Sequence, residues 1–319
     1  MSEKPLDTPA GGRLVRKVAQ WFDAGVPVAD AGTDRDGVDW ARIVPFAGMH
    51  LACLAVLFVG ASAVAVGTAV ALYFLRMFAI TGFYHRYFSH RSFKTSRTAQ
   101  FIFALCGASA VQRGPIWWAA HHRHHHAFSD KPQDPHSPRQ HGFLWSHMGW
   151  FLSRRHFQPD LRRAKDLLEF PELRWLDRFD ILVPFGLALG LLLLGMALER
   201  YAPGLGTTGG QMLTWGFFVS TVACYHGTYT INSLCHAWGS RRYATRDDSR
   251  NNPLLALITL GEGWHNNHHH YPSAVRQGFY WWEIDITYYL LRGLAALGVI
   301  WDLNPVPARI RDAHEARTA

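Results

Sequence analysis

The chain has 319 residues, 49% of them hydrophobic and 14% aromatic, with a formal net charge of +8 and a mean hydropathy near zero. That average conceals long apolar runs set between polar, His-rich and Arg-rich segments, a pattern that argues for one membrane-embedded unit with a polar cap. The basic balance comes without a zinc-finger, helix-turn-helix or RNP-like pattern, which argues against nucleic acid as the partner. The arginines instead flank the apolar runs, as in loops held on the cytoplasmic side of a bilayer.

In chain order, residues 1–40 form a polar, Gly-rich tail without a secretory signal, in which Arg13 to Phe22 is a candidate amphipathic interfacial helix. From Ile43 to Thr81 only His50 and Arg76 are ionisable. A membrane span takes roughly 20 residues of helix, so this run predicts two spans, about 43–61 and 63–82, turning near Gly60. Phe101 to Val111 is too short to cross and predicts a buried or interfacial helix. Two further spans, about 181–198 and 211–235, flank a Gly/Pro-rich turn from Arg200 to Gly210. Ile286 to Trp301, interrupted by Arg292 and Gly293, is expected at the membrane interface, and 303–319 is a C-terminal tail. The expectation is an all-α fold: a membrane domain over 41–302, four transmembrane helices, and both termini cytoplasmic. Cys53, Cys106, Cys224 and Cys235 sit in apolar runs with no CxxC pair, so no disulfide framework is expected.

This topology brings the histidines to one side. There are nineteen, concentrated in His85-Arg-Tyr-Phe-Ser-His90, in His122-Arg-His-His125-His126, in His265-Asn-Asn-His268-His269, and at His236, four residues after Asn232. Positions i, i+3 and i+4 share one helix face, so His122, His125 and His126 aim together, as do His265, His268 and His269. His85 and His90 are five apart and require the helix to loosen where they sit. Sites made only of imidazole suit Fe, Cu, Ni or Zn, and a single zinc takes three or four ligands. Nine aligned histidines fit two metals. His50, His226 and His314 read as hydrogen-bonding residues, and His121, His124 and His270 depend on the register of their boxes.

The order HRYFSH, HRHHH followed by AFSDKPQDPH, then NSLCH, then GEGWHNNHHHYP resembles the membrane fatty acyl desaturases of the stearoyl-CoA (delta-9) type, in their bacterial branch, from about Ile43 to Trp301. The resemblance implies a four-helix membrane base and a cytosolic helical cap holding an all-His di-iron site. Its ligands are matched by His85, His90, His122, His125, His126, His236, His265, His268 and His269, with Asn232 reaching one iron through water. In the family register His121, His124 and His270 are not ligands. Ligating imidazoles need partners on their other nitrogen. Asp130, Asp134, Asp247, Asp248 and Glu262 are available, Glu262 being favoured by its position three residues before His265.

The resemblance further implies a bent acyl chain held at Gln112, Trp118 and Thr228, and coenzyme A contacts at Arg154 and Arg155. Ala119-Ala120-His121 stands where the animal enzymes carry a charged pair, which leaves phospholipid-linked or carrier-protein-linked chains open beside acyl-CoA. The implied reaction uses O2 and two non-haem iron ions to place a cis double bond in a saturated chain. Electrons come from an external ferredoxin or cytochrome b5 type donor, and the expected place is a bacterial inner membrane. An acyl or alkane hydroxylase with the same site and a non-catalytic metal transporter are the rival readings. A transporter would carry ionisable residues along its spans, where very few occur.

Overall fold

The structure, a computed structural model, describes residues 10–26 and 37–313. Its helices are α1 (Ala10–Ala19), α2 (Trp40–Val59), α3 (Ala63–Ser89), α4 (Arg97–Ala108), α5 (Pro115–Phe128) and α6 (Pro171–Arg178). They continue as α7 (Leu182–Tyr201), α8 (residues 209–233), α9 (Pro253–Ile258), α10 (His265–His270) and α11 (Ile286–Ala296). Among the described residues one strand pair forms, β1 (Lys94–Thr95) with β2 (Ile300–Trp301), and it is antiparallel.

Local chemistry sets the helix ends. The Asp39 carboxylate accepts the Ala41 N–H at the start of α2, and the Ser62 hydroxyl accepts the Ala65 N–H at the start of α3. Thr208 and Gln211 form a reciprocal capping box before α8. Between α2 and α3 the chain reverses at Gly60 with φ +67°, where a side chain would be strained.

Among the described residues three helices, α2, α3 and α7, are long and apolar enough to cross a membrane. Leu51, Leu54, Leu57 and Phe58 of α2 are exposed, an arrangement suited to lipid. The expected fourth span, 211–235, is a helix of matching length, but Thr221, His226, Thr228, Thr230 and Asn232 keep it less apolar. The two reversals meet at one end of the bundle: Gln211 Nε2 donates to Val59 O at 3.0 Å and Trp215 Nε1 to Gly60 O at 2.9 Å. At the other end lie the start of α2, the end of α3, the start of α7 and the end of α8, covered by residues 113–178 and 237–313.

Arg76, one of two ionisable residues in the first apolar run, is buried and fully engaged. It donates to Leu72 O, Ser109 O, Gly216 O, Thr221 Oγ1 and Ser220 Oγ, tying α3 to α8. The short apolar run near 101 is α4, packed on α3 with Phe83 and Phe103 stacked at 3.9 Å. The run from 286 is helix then strand, with Tyr289, Leu290 and Leu297 exposed and Trp281 and Trp282 exposed just before it. In the N-terminal segment α1 leads to a turn held to the body: Trp21 Nε1 donates to Ala41 O at 2.8 Å, and Asp23 pairs with Arg178 at 2.7 Å. His314 lies outside the described residues.

The α3–α4 contact leaves no room for one more carbon. A Cβ on Gly107 would lie 2.0 Å from the ring of Tyr84, which is fully buried and bonded through its hydroxyl to Arg113 O. Gly107→Ala should therefore destabilise the fold by about 1–3 kcal/mol, the usual cost of overpacking. The check is the thermal midpoint in detergent, which should fall, whereas Gly67→Ala, in open space, should leave it unchanged.

Candidate metal centre

The histidines come from four places. His85 and His90 lie at the end of α3, where the last turns, Ala79–Ser89, widen to i→i+5 bonding; His90 N donates to His85 O at 3.2 Å. That is the loosening a five-residue spacing requires, and it puts the two rings 4.9 Å apart. His122, His125 and His126 project from α5. Its first turn has Pro115 at N1 and is capped by a side chain from another helix, Asp177 of α6, which accepts from Ile116 N and Trp117 N at 2.9 Å. Burial pushes the Asp177 carboxyl up to about 6, against those hydrogen bonds. His236 follows the end of α8.

His265, His268 and His269 stand on α10, whose two intervening asparagines are fully buried. Asn266 Oδ1 accepts from Arg242 N and Tyr243 N, and Asn267 Nδ2 donates to Gln277 O and to a Glu283 carboxylate oxygen. These bonds fix a helix of only six residues in place.

The nine histidines form two groups in which one ring nitrogen of each lies within 4.8 Å of the others: His85, His90, His122, His126 and His268, and His125, His236, His265 and His269. Nε2 atoms face one another at 3.1 Å between His85 and His268, 2.7 Å between His90 and His122, 2.9 Å between His126 and His268, and 3.0 Å between His236 and His265. The opposite nitrogens are held by carboxylates. His85 Nδ1 lies 2.5 Å from Glu262, His125 Nδ1 3.0 Å from Asp134, His236 Nδ1 2.8 Å from Asp130 and His269 Nδ1 2.7 Å from Asp247. A carboxylate on Nδ1 fixes that proton and turns the Nε2 lone pair inward, the orientation a metal ligand needs. His269 Nε2, so oriented, is buried without a protein partner.

Electrostatics agree with this orientation. Burial, then the neighbouring imidazoles, hold His90, His122, His126, His265 and His268 well below the ordinary histidine range. His269 is brought down to about 4, burial outweighing Asp247. His125 goes the other way, Asp134 outweighing burial. Burial opposes the charged form of Asp130, Asp134 and Glu262, yet the paired histidines, with Arg86 beside Glu262, keep all three below the usual carboxylate range. An all-imidazole donor set in two groups, four of its members aimed by carboxylates, fits a pair of metals.

Of the available carboxylates, Asp248 alone does not reach a histidine: its side chain pairs with Arg139 and Arg241. Glu262 is itself clamped by Arg86, at 3.1 Å, and Arg86 also pairs with Asp285 at 2.9 Å. His124 bonds to Gln133 O and accepts from Arg163, His270 stacks on Tyr243 at 4.0 Å, and His121 packs against Trp117; none joins either group. Two residues escaped the sequence reading. His136 stacks on His125 and shares Asp134 with it, and the Gln277 amide lies 3.3 Å and 3.4 Å from Nδ1 of His85 and His268. The DPH end of the second box was the available signal for His136; nothing local marks Gln277.

Beside the metal groups lies a cavity of about 270 Å³. Gln112, Trp118, Thr228, Asn232, His122 and His136 line its inner part. Gln112 Nε2 donates to Thr228 Oγ1 at 2.9 Å, and Trp118 stacks on His122 at 5.0 Å. Val111 and Arg113, bracketing Gln112, both have positive φ, as does Asp130, strained backbone of the kind found at functional sites. Lys17, Trp21, Arg42, Phe46, Ile181 and Pro184 line the cavity as well. Arg154 and Arg155 are not among the lining residues.

Two outcomes follow. His268→Ala should remove bound metal, while His270→Ala should leave it in place; metal analysis of the purified proteins separates them, and equal loss would mean a different register. Because burial keeps most of the ligand imidazoles unprotonated, acid competes for them only well below pH 6.5. His125, raised by Asp134, is the exception, so metal content measured after exchange into buffer at pH 5.5 should fall below that at pH 7.5 by loss from the group of His125, His236, His265 and His269 alone.

The sequence was compared with known proteins. Residues 61–301 match the family described as Fatty acid desaturase. The sn-1 stearoyl-lipid 9-desaturase of Anabaena variabilis is 36% identical over 84% of this chain and 95% of its own length. The acyl-CoA 5-desaturase AL21 of Anemone leveillei is 35% identical over 86% and 82%. The chloroplastic palmitoyl-monogalactosyldiacylglycerol delta-7 desaturase of Arabidopsis thaliana is 38% identical over 80% and 66%. With three quarters of its length matched and its histidines gathered in two metal-sized groups, the chain belongs to the fatty acid desaturase family.

Proposed function

We propose that the protein places a cis double bond, at the delta-9 position, in a saturated long acyl chain, using O2 and two iron ions. His85, His90, His122, His126 and His268 would hold one ion; His125, His236, His265 and His269, with Asn232 through water, would hold the other. One observation carries the reading: an apolar-walled cavity ends on His122 beneath Trp118. A chain lying in it would bring two methylenes to the metals.

Bound iron supplies the oxidising power to take hydrogen from an unactivated methylene, which has no acidity for a side chain to exploit. The protein's part is positioning and the exclusion of water. The Gln112–Thr228 bond braces the wall where the chain must bend, and the Trp118 indole covers His122. Phe46, Tyr225, Tyr229 and Phe151 complete an aromatic lining. Electrons come from an external iron–sulfur or haem protein docking on the basic cap. We place four helices across the membrane, α8 being the fourth, with the cap and both termini on the cytoplasmic side of a bacterial inner membrane.

For the head group, a lipid-linked acyl chain fits best. Phe46 and Met49 of α2 and Pro184 of α7 line the cavity, and both helices are apolar enough to meet lipid. Relatives named as acting on lipid-linked chains support it. Acyl-CoA is the second reading, favoured by Lys17, Arg42 and Arg113 in the same lining and by a relative named as an acyl-CoA desaturase.

Gas chromatography with mass spectrometry of fatty acids from an expressing host should reveal a new cis-9 monoene. Hydroxy-acids without monoenes would establish the hydroxylase instead. In a short pulse of labelled stearate, labelled monoene should appear first in membrane lipid; appearance first in the coenzyme A pool would select the second reading.

A further inference from the structure

Three histidines outside the metal groups form a continuous hydrogen-bonded chain between α2, α8 and the cap. His50 Nδ1 lies 2.8 Å from Phe46 O, and His50 Nε2 lies 3.2 Å from His226 Nε2. His226 Nδ1 lies 3.0 Å from His147 Nε2, and His147 Nδ1 lies 2.9 Å from Ser233 Oγ. Ser233 Oγ in turn lies 2.9 Å from Tyr229 O. All six ring nitrogens are used. The arrangement is linear, with His226 spending one nitrogen on each neighbour, so it does not converge on a metal.

Proton counting gives this chain a property. Both of its ends are carbonyl oxygens, which only accept. The five contacts need five protons when all are made, whereas three neutral imidazoles and one hydroxyl supply four. In the neutral chain each ring donates toward Phe46, Ser233 donates to His147, and the Ser233–Tyr229 contact lacks its proton. One added proton completes all five, with only the Ser233 hydroxyl turning to Tyr229 O. The Phe46 end is closed because His50 Nδ1 must keep its proton, so exchange runs through the Ser233 end.

That end adjoins the site. Ser233 follows Asn232, which lines the cavity, and Ser146, next to His147, donates to Asn232 O at 2.9 Å. Tyr229, also in the lining, packs against the rings of His147 and His226. The groups packed on the three rings are neutral: Phe46 on α2, Tyr229 on α8 and Phe143 in the cap. No carboxylate, ammonium or guanidinium among the described residues bonds to the three rings, so nothing fixes a charge there permanently. Burial, then His226, hold the His147 imidazole below its ordinary range, which makes the neutral chain the resting form.

We propose that His50, His226, His147 and Ser233 form a single-proton store that supplies protons to the cavity during desaturation. The inference rests on the desaturase reading. In that reaction one saturated acyl chain, one O2, two electrons from the external carrier protein and two protons become one cis-alkene and two waters, so each turnover draws two protons to the cavity. The histidines are positioning residues for that supply; none touches the acyl chain.

His226→Asn and His147→Gln keep a donor and an acceptor in place but cannot hold the extra proton. Each variant should keep its iron content and thermal midpoint, lose about a hundredfold in kcat with KM little changed, and show a larger solvent deuterium isotope effect. The wild-type kcat should fall as pH rises, because the protonated chain becomes scarcer, and the variants should lose that slope. Variants with wild-type kcat and pH profile would overturn the store, as would loss of activity that follows loss of iron or stability. A wild-type protein that makes no monoene would instead overturn the desaturase reading, which separates the two failures.

Discussion

The pairing of inward-facing imidazoles with carboxylates that fix their outer nitrogens governs this structure. Nine imidazole nitrogens brought within a few ångströms of one another are mutually unfavourable unless their lone pairs share a cation and their protons are engaged elsewhere. Asp130, Asp134, Asp247 and Glu262 supply that engagement for four of the nine. Each of these carboxylates is costly to bury. The surrounding chain is organised to hold them: Asp134 also accepts Asp130 N, Asp130 accepts from Ser137 and Asp248 N, and Asp247 accepts from Ser249. Arg86 joins Glu262 to Asp285, which caps α11 through Tyr288 N. The metal groups and the polar core of the cap are therefore one network, and a change in either reaches the other.

The same constraint explains the departures from regular helix. A straight α3 would send His85 and His90 to different faces, and the widened turns at Ala79–Ser89 bring them together. α10 is too short to be stable alone and exists because Asn251, Asn266 and Asn267 pin it to the neighbouring loops. Positive φ at Asp130 puts its carboxylate under His236. These three irregularities are located where one of the grouped histidines or its carboxylate partner is aimed.

Much of this was legible in the sequence, because it was written in spacing. The i, i+3, i+4 boxes read directly as helix faces, and all nine nominated histidines fall in the two groups. Glu262 was found from its distance along the chain to the box, although the histidine it serves is His85, 177 positions earlier. His136 and Gln277 were missed because their roles arise only when separate loops meet. Asp248 misled for the opposite reason: it carries suitable charge near the right motif but turns to arginines.

Composition falls short at α8, and the reason is physical. Hydropathy averages all faces of a helix, while a helix inside a bundle needs apolar side chains only where it meets lipid. On α8 the polar residues face inward. Ser220 and Thr221 receive Arg76, Thr228 receives Gln112, His226 joins the chain from His50 to His147, and Asn232 lines the cavity. The helix that carries these inward polar groups is for that reason less apolar than α2, α3 and α7. A polar α8 is thus what its packing calls for, since Arg76 and His50 on its neighbours need buried partners. Its low apparent hydropathy and its functional load have a single cause.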